Sequence, residues 1–304
     1  MTELEDKLNH YKEPSSPTEK NKQERAERMV RDGVEAWKGF EDVPLRYLPK
    51  GSYKNNTNVK ADSDVDIAVI RERLYYYNIE LLKPEDAATI GAGPSSSLSL
   101  QDTALRVELE KALCKNFGSA CDTTGKTAIS VSENSGRVSA DVVPSFPFRL
   151  YYYDSLSQVT FAEGTKTFRK DGSQIENYPE QQHINGVAKN NATSRRYKFL
   201  VRILKRLEND LVTAGQVNEL PSYFMECLVY RVPNRYFGST SATPLTADLK
   251  AVLAYIFDAT NDGTAASWYE PNEIKRLFGA GQPWTMQDAR NLTLKVWAHL
   301  GLGS

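Results

Sequence analysis

The plainest pattern in the chain is a short alternation that becomes wholly apolar. Val65-Asp66-Ile67-Ala68-Val69-Ile70 carries one acid and then four apolar residues, which predicts a strand buried for most of its length. Upstream, Thr18 opens a predicted helix in which Ala26, Val30, Val34 and Trp37 fall near one face. Residues 83–99 interrupt the sheet, and Gly91-Ala92-Gly93-Pro94-Ser95-Ser96-Ser97 reads as a loop. Asp102 is placed to cap a helix with Leu105, Leu109 and Leu113 inward. Strands are expected at about 127–132 and 137–143, the second halted by Pro144. Asp171-Gly172 marks a hairpin between Thr167-Phe168 and Gln174-Ile175. From about residue 180 the period turns helical. A helix beginning near Ser194 gathers Tyr197, Leu200, Val201, Leu204, Leu207 and Leu211 on one side. The pattern predicts a polar, flexible lead over 1–17, an α/β region over 18–180 and a helical region over 181–304, with no internal repeat.

Chemistry enters at Gly51-Ser52-Tyr53-Lys54-Asn55-Asn56-Thr57, a small-residue turn that leads into Ser63-Asp64-Val65-Asp66. Side chains alternate along a strand, so Asp64 and Asp66 point one way while Val65, Ile67 and Val69 pack behind them. Two acids on one edge repel each other unless a cation neutralises them, and hard oxygen ligands of this kind suit Mg2+. Gly136-Arg137-Val138-Ser139-Ala140-Asp141-Val142-Val143-Pro144 offers a third acid, with Val138, Ala140 and Val142 on one face and Asp141 on the other. Three carboxylates on two strands are the donor set for two Mg2+ ions, for which Mn2+ can substitute. Asp64 and Asp66 would bridge both ions, and Asp141 would serve the one beside the attacking hydroxyl. Gly51, Ser52 and the amides around them would hold terminal phosphates. The bland alternative, a solvated acidic turn, fits poorly with the apolar run that follows, because buried strands do not carry spare acids.

Lys198, Arg202 and Lys205 recur at spacings of four and three along the helix near Ser194, which makes one cationic stripe. Such a stripe is either a solvated face or a triphosphate contact. Pro221 marks a helix start, which sets Ser222 near a helix N-terminus. The tyrosine triplets 75–77 and 151–153 read as strand packing, and His183 and His299 as hydrogen-bonded histidines without ligand partners.

The balance of 38 basic against 39 acidic residues, a formal charge of −1, leaves no global field for long nucleic acid. No apolar run approaches the ~20 residues of a membrane span, and the polar start is no signal peptide. Cys114, Cys121 and Cys227 are odd in number and lack zinc spacing, so reduced thiols and a cytoplasmic setting are expected.

Together these motifs resemble the polymerase-β-type nucleotidyltransferase superfamily. Within it the chain is similar to the cGAS/DncV-like enzymes (CD-NTases). The narrower resemblance rests on Asp141-Val142-Val143-Pro144, Tyr197-Lys198 with the helix after it, Leu220-Pro221-Ser222-Tyr223-Phe224-Met225-Glu226-Cys227-Leu228-Val229-Tyr230, and Trp284-Thr285. It covers roughly residues 20 to 300. It implies an α/β two-lobed fold, a mixed nucleotidyltransferase sheet facing a C-terminal oligoadenylate-synthase-like helical bundle, with the active site in the cleft. It also implies Mg2+-dependent synthesis of a cyclic di- or trinucleotide from nucleoside triphosphates, ATP and a second of unknown base, as a second messenger in bacterial antiphage defence (CBASS). By resemblance Lys198 contacts the triphosphate, Ser222 binds donor phosphate and Tyr223 stacks on a base. The tail Leu300-Gly301-Leu302-Gly303-Ser304 reads as flexible, and because some members of the resembled family are conjugated through their C-terminus, a conjugating or regulatory protein is a candidate partner. Two other readings stay open: a linear oligonucleotide synthase or other adenylyl transferase, and a silent nucleotide- or RNA-binding sensor.

Overall fold

The computed structural model describes residues 2–59, 64–73, 75–90, 100–238, 240 and 242–303. The loop expected at 91–97 lies outside the described residues. In chain order the elements are α1 (Glu3–Tyr11), α2 (Pro17–Glu35), β1 (Leu45–Lys50), α3 (Gly51–Asn55), β2 (Val65–Arg71), β3 (Tyr76–Asn78), α4 (Pro84–Thr89) and α5 (Leu100–Phe117). Then follow β4 (Cys121–Asp122), β5 (Ile129–Val131), β6 (Ala140–Tyr153), β7 (Val159–Phe168) and β8 (Gln174–Asn177). The chain finishes with α6 (Pro179–Ala192), α7 (Arg196–Thr213), α8 (Ser222–Arg231), α9 (Leu245–Asn261) and α10 (Met286–His299).

The chain divides into two compact units. One comprises Ser16–Tyr53 and Asp62–Pro179; the other comprises Met1–Ser15, Lys54–Ala61 and Glu180–Ser304. The first is a mixed sheet with helices. β2 runs antiparallel to β1 and parallel to β6, and β6 continues antiparallel to β5, which pairs with β4. Val65, Ile67 and Val69 are fully buried, as the pattern predicts.

Pro144 does not end the strand; β6 runs through it and through Pro147 for 14 residues. The pairing explains why. On one edge the β5 partners end at Val142 and the β7 partners begin at Phe146, which leaves Pro144 in the gap. On the other edge the β2 partners end at Ser145 and the β3 partners begin at Phe148, which leaves Pro147 in that gap. Each proline falls where its missing N–H costs no ladder bond. The β7–β8 hairpin turns at Asp171-Gly172, with Gly172 at φ +82. α2 starts one residue before Thr18, with a capping box between Ser16 and Glu19, and ends before Trp37, whose indole donates to Glu108 at 2.7 Å. α5 is already helical at Leu100, so Asp102 lies within it rather than at its start.

The second unit is helical and built on α7. Tyr197, Leu200, Val201, Leu204, Leu207 and Leu211 are all buried with residues of α8, α9 and α10. Two expectations fail here. Residues 3–11, read as a flexible lead, form α1. Its Leu8 is 0% exposed, and its closing carbonyls at His10, Tyr11 and Glu13 accept from Arg206. Glu5 fixes the other end by accepting the Leu245 and Thr246 amides at the start of α9, at 2.7 and 3.0 Å. The tail after α10 is also packed. Gly301 at φ +61 closes the helix: its N–H meets Ala298 O and that of Leu302 meets Trp297 O, and Leu302 enters the core at 4% exposure.

Candidate active site

The register of the sheet draws a straight row across four strands. Lys50 on β1 pairs with Asp66 on β2, Asp66 with Asp141 on β6, and Asp141 with Ser130 on β5. Residues opposite one another share a face, so all four side chains emerge together. The Ser130 hydroxyl donates to Asp141 Oδ1 at 2.7 Å, which fixes that carboxylate. Asp64 lies just before β2, where the Ser139 side chain favours its charged form. The sheet thus brings Asp64, Asp66 and Asp141 into one electrostatic neighbourhood. Lys50 and Ser130 join them without any local signal, because only the nonlocal register puts them there.

Charge repulsion is written into these groups. Burial, opposed by Lys50 and reinforced by the charges of Asp141 and Asp64, pushes Asp66 up to about 6. Asp64 is raised by burial and then by the Asp141 charge. Hard, mutually repelling oxygens of this kind fit a divalent cation. Among the described residues, no three His, Cys, Asp or Glu side chains are yet gathered closely enough to ligate one.

Gly51 explains why a Gly-Ser pair precedes the acids. It sits at φ +66, and a Cβ there would lie 2.4 Å from Asp66 Oδ2, so a larger residue would push the carboxylate out of its place. Ser52 follows, half-buried, in the single turn of α3.

In the helical unit the cationic stripe divides. Arg202 is 3% exposed, with Nε donating to Lys12 O and a terminal nitrogen donating to Asn56 O at 2.7 Å. Lys205 is 2% exposed, beside Glu226 and 3.4 Å from Thr57 Oγ1. Both were expected to face triphosphate; Arg202 is instead committed to the Lys12 and Asn56 carbonyls and Lys205 is buried against Thr57. The reason is that helical spacing reports a face, not whether carbonyls from distant chain cover it. Lys198 stays half-buried, its pKa lowered by burial and by Arg202 and raised by Glu226. Ser222 is exposed at the first position of α8. The Tyr223 hydroxyl donates to Glu270 at 3.2 Å and its ring meets Trp284 edge-on at 6.3 Å, so part of its surface is spent on the core.

Glu226 is the residue the motif reading passes over. Buried, it accepts from Asn55 and Thr57 at 2.8 Å each and from Gln182 at 3.1 Å. Asn55 in turn meets His183 Nδ1 at 3.1 Å. A buried acid in the middle of Phe224-Met225-Glu226-Cys227-Leu228 was the available signal, since such an acid needs partners.

A mixed sheet with acids at the ends of two adjacent parallel strands and a Gly-Ser turn before them, in a chain that also carries a helical unit, defines a nucleotidyltransferase of the polymerase-β type. Residues 184–301 match the model of the cGAS/DncV-like nucleotidyltransferase C-terminal helical domain. A cyclic dipyrimidine nucleotide synthase, CdnE, of Legionella pneumophila is 37% identical over 95% of each chain. The structure of Elizabethkingia meningoseptica CdnE cyclic dinucleotide synthase with GTP and Apcpp superposes with a TM-score of 0.78 at 31% identity, covering 98% of each chain. That of Rhodothermus marinus CdnE c-UMP-AMP synthase with Apcpp and Upnpp reaches 0.81 at 25% identity, over 99% of this chain and 97% of that one. The chain belongs to the cGAS/DncV-like nucleotidyltransferase family, and it is an enzyme of the cyclic nucleotide synthase type.

Proposed function

We propose that this enzyme joins two nucleoside triphosphates into a cyclic dinucleotide, with Asp64, Asp66 and Asp141 holding two Mg2+ ions. The observation that carries the reading is the Asp66–Asp141 pairing on adjacent parallel strands, with Asp64 in electrostatic reach. When bound, such ions polarise the α-phosphate and offset the charge of the triphosphate. The chain's own groups do the rest. Gly51 and Ser52 receive terminal phosphates, and Lys198 is assigned to the triphosphate by the family resemblance. Asp141, fixed by Ser130, takes the proton as a ribose hydroxyl of one nucleotide attacks the α-phosphorus of the other and pyrophosphate leaves. A second attack of the same kind closes the ring and releases a second pyrophosphate. Ser222 and Tyr223 are assigned to the donor phosphate and base, on the exposure that remains to them.

Relatives of similar identity carry purine and pyrimidine nucleotides in their names, so similarity does not choose the bases. The product's role as a second messenger in bacterial antiphage defence, in the cytoplasm, is what the family resemblance implies, and the relatives that support it are bacterial cyclic nucleotide synthases. Among the described residues no helix is long and apolar enough to cross a membrane.

The test uses all four α-labelled triphosphates with Mg2+, followed by phosphatase and mass spectrometry. Label that survives phosphatase in a species with two nucleotides and no terminal phosphate is the expected result. A fully sensitive product would make the enzyme a linear synthase, and no incorporation at all would favour a sensor.

A further inference from the structure

Lys50 is the last residue of β1 to pair with β2, and its partner is Asp66. The next residue, Gly51, turns the backbone at φ +66, so Lys50 ends the strand with its side chain on the acids' face. On that face its ammonium lies in the field of both Asp66 and Asp141. Burial works against the lysine's charge, and those two acids are what favour it. The same relation appears from the acid's side, where Lys50 is the group that opposes the upward push on Asp66.

We propose that the Lys50 ammonium is the resident counter-ion of the Asp66–Asp141 pair and competes with a divalent cation for those carboxylates. The inference rests on the reading of these acids as metal ligands. It gives the row across the sheet a division of labour: Ser130 orients Asp141 from one side, and Lys50 neutralises the pair from the other. The nucleotide-free protein then tolerates its acids without an ion. A divalent cation arriving with a triphosphate must displace the lysine or share the acids with it. Metal binding is therefore weak until the triphosphate's own negative charge adds to the acids.

The experiment titrates Mn2+ alone, without nucleotide, into the full-length wild type, Lys50→Gln, Lys50→Arg and Asp66→Asn. Free Mn2+ is read by electron paramagnetic resonance, and melting is followed in parallel with and without chelator. Lys50→Gln is expected to bind Mn2+ about tenfold tighter, as removal of a nearby like charge requires. It should also melt lower than wild type in chelator and recover in Mn2+. Lys50→Arg keeps the charge and should stay near wild type, and Asp66→Asn should lose the site. Equal or weaker Mn2+ binding by Lys50→Gln, with an Asp66-dependent site present in wild type, overturns the counter-ion role and leaves the metal reading standing. Melting lowered equally with and without Mn2+ would show a packing role only, and also overturns it. If neither wild type nor Lys50→Gln shows an Asp66-dependent site, the metal reading fails and this inference falls with it.

Discussion

Thr57 donates its hydroxyl proton to Glu226 Oε2 at 2.8 Å across 169 residues of chain. The bond belongs to a buried set in which Glu226 also takes Asn55 and Gln182, while Lys205 supplies the compensating charge. Asn55 and Thr57 are thereby packed as part of the helical unit, although in sequence they stand between the Gly-Ser turn and Asp64.

Glu226→Ala should therefore behave as a stability variant. It strands the Asn55 and Thr57 donors in the interior, and each buried donor left without its acceptor costs about 1–3 kcal/mol. Thr57→Val removes one neutral donor from a charged acceptor and should cost roughly 1.5–3 kcal/mol. Urea unfolding midpoints measure both, and equal, negligible shifts would contradict the network.

Arg202 and Lys198 should separate. Arg202→Ala leaves the carbonyls of Lys12 and Asn56 without their donor and should lower stability by about 2–4 kcal/mol. Lys198→Ala should melt close to wild type yet lose roughly 1–3 kcal/mol in kcat/KM for triphosphate. Steady-state kinetics beside thermal melts distinguishes them; the reverse pattern would restore Arg202 to the phosphate site.

The acids make a prediction with a definite sign. Asp64 has a folded pKa raised above its ordinary 3.8 by burial and by Asp141. Relative to a neutral side chain, it favours the fold fully only below that ordinary value, and this benefit is lost as pH rises through the higher folded value. Asp64→Asn should thus abolish product and, in chelator at pH 7, melt slightly above wild type. The gain should stay under about 1 kcal/mol because the group is solvent-screened. The difference should shrink as pH falls toward 4. A variant that melts lower at pH 7 would show that Asp64 serves the fold.

Leu302→Ala should cost about 2–5 kcal/mol, the range for a buried leucine, whereas a flexible tail would feel nothing. Melting midpoints of the purified protein decide the matter.

The three acids were legible because period two and an apolar run speak locally. Asp66 and Asp141 each alternate with buried neighbours, and that alternation survives without knowledge of the partner strand. Lys50 and Ser130 were not legible, since their places depend on pairings across the sheet that no window of sequence contains. Arg202 and Lys205 were misread for a related reason. A stripe of cations looks the same from the sequence whether water or the carbonyls of Lys12 and Asn56 lie over it. The lead at 1–17 did carry a signal, Leu4, Leu8 and Tyr11 at helical spacing behind Thr2, but its high polarity hid it.

The two prolines of β6 have a consequence beyond their own positions. A one-residue slip of that strand against β2 would turn Asp141 to the opposite face. The same slip would carry Pro144 and Pro147 out of their gaps and into positions where a neighbour needs a donor. Misalignment would then remove backbone bonds at the moment it turned Asp141 away from Asp66. The same backbone gaps that admit the two prolines therefore also penalise any register that places Asp141 on the other face.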